Sequence, residues 1–233
     1  MYRQGFNILW IPAVLCISIL LLARKKLPSP VELEDSEPSM PEDKEENHGF
    51  LPIFWLYCLF AFLSVVGFAS FQIISYHFKV QGVISDSWIP IFYAIAMGVD
   101  AVMALLIGRI YDKVGLKALI IIPLITIPIP FLAFSCNFNL ALISAILWGA
   151  VMGIHETIMR AAIADLSPIH RRGAAYGIFN TIYGGAWFLG CSAMGFLYEF
   201  SISYLIIFVI LVEILSIVAF FFFQDNIAQD KIR

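Results

Sequence analysis

Glu156 and Arg160 stand four residues apart, the spacing at which opposite charges share one face of a helix and can form an ion pair. His155 adjoins them, and Asp165, Pro168, Arg171, Arg172 and Gly173 follow, a pattern that ends one helix and starts another. A second charged island, GRIYDKVGLK, occupies 108–117. There Arg109 and Asp112 can pair across one turn, Gly115 suits a left-handed helix cap, and Lys117 opens the next helix. A carboxylate at such a turn can also rest against the positive N-terminus of a neighbouring helix. That contact is worth about 0.3–1 kcal/mol when exposed, enough to bias a conformational equilibrium without locking it. The chemistry on offer is electrostatic latching, and no bond-making group is implied.

Three further groups of polar residues lie inside apolar sequence. Asp100 and Glu213 each fall near the middle of an apolar run, where an acid is a candidate proton or cation site by default. The stretch AAYGIFNTIYGGAWFLGCSAMG sets Asn180, Tyr183 and Trp187 at three- and four-residue steps, a polar and aromatic helix face fit for a cavity wall or for interhelical hydrogen bonds. No phosphate loop, dinucleotide fingerprint, metal-ligand spacing or nucleophile elbow is present, so neither an enzyme, a cofactor nor a metal site is expected. Cys16, Cys58, Cys136 and Cys191 lack any CxxC spacing and read as free thiols.

The elements that must position these residues follow from composition. Of 233 residues, 61% are hydrophobic and 13% charged, more apolar than one water-soluble core can bury. The lipid bilayer is the expected solvent, and the expected class is an all-α integral membrane protein. Crossing it takes about 20 residues per helix. Seven runs qualify: 6–23, 51–75, 87–110, 117–135, 139–163, 172–197 and 202–223. The organisation is thus a first helix within 1–23, a linker over 24–50, a six-helix bundle over 51–223 and a tail over 224–233. The linker is rich in Pro, Glu and Ser without apolar periodicity and reads as a flexible aqueous tether. Pro123, Pro128 and Pro130 predict a kink in the fourth span. The linker, the 108–117 and 164–172 loops, the tail and Arg160 hold twelve of the fourteen Lys and Arg; the other side holds only Arg3 and Lys79. The positive-inside rule then places linker and C-terminus in the cytoplasm and the N-terminus outside.

At 108–117 the pattern Gly108-x-x-x-Asp112-x-x-Gly115-x-Lys117 resembles the loop motif of the major facilitator superfamily, with Leu116 where that family usually has a base. The stretch from Glu156 through Arg160 to Arg171-Arg172-Gly173 is similar to a second pattern of that family, between its tenth and eleventh helices. With a long acidic linker, one helix before it and six after, the resemblance implies the sixth helix, central loop and C-terminal six-helix half of a twelve-helix transporter. It also implies three-plus-three inverted repeats, a fold that places the sixth bundle helix outside the pore, and alternating access. Gly108, Arg109, Asp112, Gly115, Lys117, Glu156, Arg160, Arg171 and Arg172 would then form a conformational gate. Asp100, His155, Asn180, Tyr183 and Trp187 are the candidates for a proton or substrate pathway.

The leading expectation is secondary transport of a small solute, driven by a gradient, since nothing in the chain hydrolyses ATP. Because the family encloses its pathway between two halves, an N-terminal half or self-association is the expected partner, and nucleic acid is not. A non-transporting remnant or helper subunit is the alternative. A seven-helix receptor fits the topology less well, because the seventh span has no Lys for a retinal Schiff base and the linker falls after one helix.

Overall fold

The computed structural model of the chain describes residues 14–19, 21, 22 and 52–230. The linker 24–50, most of the span expected at 6–23, and residues 231–233 lie outside the described residues. Two compact units divide the chain, Met1–His48 and Gly49–Arg233. In the first, 14–19 are helical, with the Ser18 hydroxyl donating to the Val14 carbonyl at 2.7 Å.

Among the described residues, the regular elements of the second unit are all helices. Its elements are α1 (Pro52–Gly67), α2 (Phe71–Val80), α3 (Trp88–Val114), a 3-10 helix (Gly115–Ile120), α4 (Ile121–Thr126), α5 (Pro128–Ala133), α6 (Phe138–Leu166), a 3-10 turn (Ile169–Arg171), α7 (Arg172–Phe200) and α8 (Ile202–Asp230). Four stretches among the described residues are long and apolar enough to cross a membrane: Pro52–Val80, Trp88–Ala133, Phe138–Leu166 and Ile202–Ile227. The protein is therefore a multi-pass, all-α membrane protein. Leu105, Phe188, Phe196 and Phe222 point outward from the helices, as side chains that meet lipid do.

The span expected at 51–75 is two helices. It breaks at Phe68–Ser70 without a proline, and the Trp148 indole N–H donates to the Ala69 carbonyl at 2.9 Å, satisfying a backbone acceptor freed by the break. Phe68 stacks on the same indole, ring centroids 5.5 Å apart. The span expected at 87–110 runs on to Val114, so Asp112 and Lys113 sit in the last helical turn. Gly115 follows at φ +62°, as a cap requires, but at ψ −143° it lies outside the left-handed helical region expected for it. In 117–135 the proline run interrupts regular helix: α4 and α5 meet at Ile127, just before Pro128. The Asn137 side chain caps α6 by accepting from the Asn139 and Leu140 backbone N–H groups.

Two helix pairs carry the core. In the α3–α6 pair, Gly149 lies directly beneath the Ala96 backbone and Gly153 beneath Asp100, so close that an added methyl would overlap the facing chain. In the α1–α8 pair aromatic rings face one another, Tyr57 against Phe223 and Phe60 against Phe220. All four cysteines are free thiols.

Candidate functional site

On α6, Met152, His155, Glu156 and Arg160 fall at steps of three, one and four, which puts them on one stripe of the helix. On α7, Phe179, Asn180, Tyr183 and Trp187 do the same. The two stripes line one cavity of about 160 Å³. Its wall is a wedge of aromatic surface with a carboxylate, a guanidinium, an amide and a phenol set into it.

The aromatic part is interlocked. Tyr183 and Trp187 stack at 6.1 Å, and Phe68, at the break between α1 and α2, meets the rings of Trp187 and His155 edge-on at 5.8 and 5.1 Å. His155 is buried, with Nδ1 paired to the Tyr183 hydroxyl at 3.4 Å and Nε2 without a hydrogen-bond partner. Behind Phe179, Tyr57 of α1 stacks on its ring at 6.0 Å and donates its hydroxyl to the Met159 carbonyl, fixing α1 to the back of the wall. The polar groups keep their side chains toward the open side, where Glu156, Arg160 and Asn180 are exposed.

The charged candidates do not pair as their spacing permits. No ion pair joins Glu156 to Arg160, although their spacing permits it. An exposed pair of this kind is worth only about 0.3–0.5 kcal/mol, too little to hold two long side chains together beside an open cavity. Arg109 and Asp112 do not pair either; the Arg109 guanidinium turns back to the Leu105 carbonyl at 3.4 Å. Asp100 is absent from the cavity wall. It faces the α3–α6 seam above Gly153, with Oδ1 buried and unpartnered, because the glycine draws the two backbones together at its level. Gly108 packs near Thr157 of α6; Asp112 and Lys117 are exposed at the α3 turn, and Arg171 closes the 3-10 turn before α7.

What ties the basic end of the bundle together is a pair of phenols that spacing alone did not single out as site residues, together with Arg172. Tyr111 of α3 donates to Asp165 Oδ2 of α6 at 2.7 Å, and Tyr176 of α7 donates to the Arg160 carbonyl at 3.2 Å. The Arg172 guanidinium donates to the Ala164 carbonyl at 3.3 Å. The available signal was Tyr176, one turn before Asn180 on the polar face of α7. Among the described residues no group of three or more His, Cys, Asp or Glu could hold a metal ion.

The family model described as Major Facilitator Superfamily matches residues 81–232. Proteins of Mycobacterium bovis and Mycobacterium tuberculosis, both named only as uncharacterized proteins, are 34% identical over 221 residues, 94% of this chain and 54% of their own length. The quinolone resistance protein NorA of Staphylococcus aureus is 31% identical over 96 residues, 40% of this chain and 25% of its own. The chain thus spans about half the length of the mycobacterial relatives it matches.

Proposed function

The chain belongs to the major facilitator superfamily, and from that premise we propose that it forms the C-terminal half of a secondary transporter that moves a small solute by alternating access. The observation that carries this reading is the α6–α7 cavity, which gathers His155, Glu156, Arg160, Asn180, Tyr183 and Trp187 from two helices onto one wall. A complete small-molecule pocket encloses about 300–1,000 Å³. A wall enclosing about 160 Å³ fits one side of such a site, the other side coming from an N-terminal half or a second copy of this chain. The rings of Phe179, Tyr183 and Trp187 suit an aromatic or otherwise apolar body, and Glu156, Arg160 and Asn180 suit polar ends on the same molecule. A small amphipathic organic solute meets both demands, in keeping with similarity to a quinolone resistance protein.

In this reading the order of the helices is an inverted repeat of two triplets, 51–135 and 139–223. Packing supports it: α3 lies on α6 as α7 lies on α1, and α8 lies on α1 as α4 and α5 lie on α6. The basic end is cytoplasmic and the N-terminus outside. The α3 turn and the Tyr111–Asp165 and Tyr176–Arg160 hydrogen bonds form the inner latch, which must part when the cavity opens inward. Gly108, Arg109, Asp112, Gly115 and Lys117 at the α3 turn, with Arg171 and Arg172 at the start of α7, give that end its net positive charge, in position to meet the partner half.

Reconstitution tests the proposal. The chain, coexpressed and copurified with an N-terminal half, is placed in proteoliposomes and assayed for flux of a fluorescent amphipathic solute. Flux lost with Trp187→Ala and Glu156→Gln supports the reading; flux unchanged by both removes the cavity from the pathway.

A further inference from the structure

Glu213 lies in α8, is absent from the cavity lining, and is 0% exposed. Both of its carboxyl oxygens are buried without a hydrogen-bond partner. Its carboxyl fills the space over Gly67, where an added methyl would overlap it. The register of the pair extends this site. Tyr57 meets Phe223, Phe60 meets Phe220 and Gly67 meets Glu213, and the residue numbers in each pair add to 280. Two antiparallel helices in that register set Ser64 opposite Ser216, one turn, about 5 Å, nearer the basic end. Both serines are 0% exposed, and both hydroxyl oxygens lack a partner.

This last point separates them from other buried hydroxyls of the bundle. Thr126 and Ser144 return their hydroxyls to carbonyls of their own helices, at 2.8 and 2.7 Å. Ser64 and Ser216 forgo that option. Four hard oxygen atoms on facing positions of one seam are thereby left for something else.

Among the described residues no side chain supplies a counter-charge. The helix α1 carries no Asp, Glu, Lys, Arg or His; its Tyr57 and Cys58 stand toward the basic end, two or more turns from Gly67. The helices α4 and α5 contain no titratable residue. Lys117, before α4, stands at the basic end, and α7 holds Arg172 and Glu199 at its two extremes with Tyr176, Tyr183, Cys191 and Tyr198 between. A bare carboxylate sealed in apolar surroundings is strongly disfavoured unless a cation neutralises it.

We propose that Glu213, Ser64 and Ser216 form a buried site for one small monovalent cation in the α1–α8 seam, distinct from the cavity wall. One carboxylate with two hydroxyls balances a single positive charge on an oxygen-loving ion, and would leave a divalent ion with one charge unbalanced in apolar surroundings. A proton on the carboxyl and a sodium ion among the oxygens satisfy the same chemistry, and the site holds one or the other whether or not the chain transports.

Thermal unfolding of the purified chain is measured in sodium chloride against choline chloride at constant ionic strength, alongside infrared difference spectra of wild type minus Glu213→Gln. A melting temperature that rises with sodium by about 5 °C at saturation, and loses that rise in Glu213→Gln, identifies a sodium ion. No sodium response, with loss of a protonated-carboxyl stretch in the variant, identifies the proton. No sodium response together with loss of an ionised-carboxylate band overturns the proposal. Should Glu213→Gln not fold, the double variant Ser64→Ala, Ser216→Ala takes its place. The site then predicts a sodium response weakened about tenfold, or a protonated-carboxyl stretch displaced from its wild-type position. A double variant identical to wild type in both readouts overturns the proposal.

Discussion

Two carboxylates in membrane helices, Glu156 on the cavity wall and Glu213 in the α1–α8 seam, have the same side chain and opposite surroundings. Glu156 is exposed on a face it shares with Arg160 and Asn180, beside an open volume. Glu213 is sealed over Gly67, and its carboxyl oxygens have no hydrogen-bond partner among the described residues. The difference lies in what the facing helix offers: α7 turns a polar, aromatic stripe toward Glu156, whereas α1 turns a glycine and a serine toward Glu213. Spacing within one helix fixes which face a residue occupies, and the neighbouring helix fixes what that face can do.

Substitutions can break this contrast between open wall and closed seam. The largest effect is expected where backbones nearly touch. A leucine at Gly149 meets the Ala96 backbone, so Gly149→Leu should cost more than about 3 kcal/mol and remove the folded peak on size exclusion. Gly184 has open space around it, and Gly184→Leu should stay within about 0.5 kcal/mol of wild type. Equal losses at both sites would erase the distinction. Next in size is Tyr111→Phe, which deletes the donor to Asp165; a loss of about 1–2 kcal/mol is expected by thermal melting, with coupling to Asp165→Ala in a double-mutant cycle.

Glu156→Gln sharpens the comparison from the other side. Because this carboxylate is exposed and unpaired, stability should move by less than about 0.5 kcal/mol, while reconstituted flux falls about tenfold. A stability loss as large as that of Tyr111→Phe would show that Glu156 holds the bundle together. The smallest effect belongs to Lys79, whose exposed pair with Asp86 at 3.5 Å lies at the end of the bundle away from the basic cluster. Lys79→Ala should shift stability by at most about 0.5 kcal/mol, and by nothing measurable in high salt.

The membrane class was legible from composition and from the length of the apolar runs, because lipid imposes helix on any backbone that crosses it. Single-helix periodicity also read the faces of α6 and α7, and the structure sets His155, Glu156, Asn180, Tyr183 and Trp187 along one cavity. Periodicity failed wherever the answer depended on a second helix. Asp100 looked like a pathway acid, yet Gly153 of α6 takes its level into a seam. The i, i+4 spacing of Glu156 and Arg160 licensed a pair that an open cavity leaves unmade. The break at Phe68–Ser70 carries no proline, and its stabilising indole comes from Trp148, 79 residues away from Ala69. The Tyr111–Asp165 bond spans 54 residues, and its donor is a neutral phenol that a search for charges passes over.

The central claim, that the α6–α7 face borders water while the opposite side of α7 borders lipid, has a direct test in the membrane. In a background lacking Cys16, Cys58, Cys136 and Cys191, single cysteines replace Asn180 on the wall and Leu189, which is exposed and lies half a turn round α7 from Asn180. Each is treated with an impermeant maleimide in intact cells and in inverted vesicles. The account predicts that Asn180→Cys labels from at least one side and that Leu189→Cys labels from neither. Labelling at Leu189→Cys with silence at Asn180→Cys would contradict it.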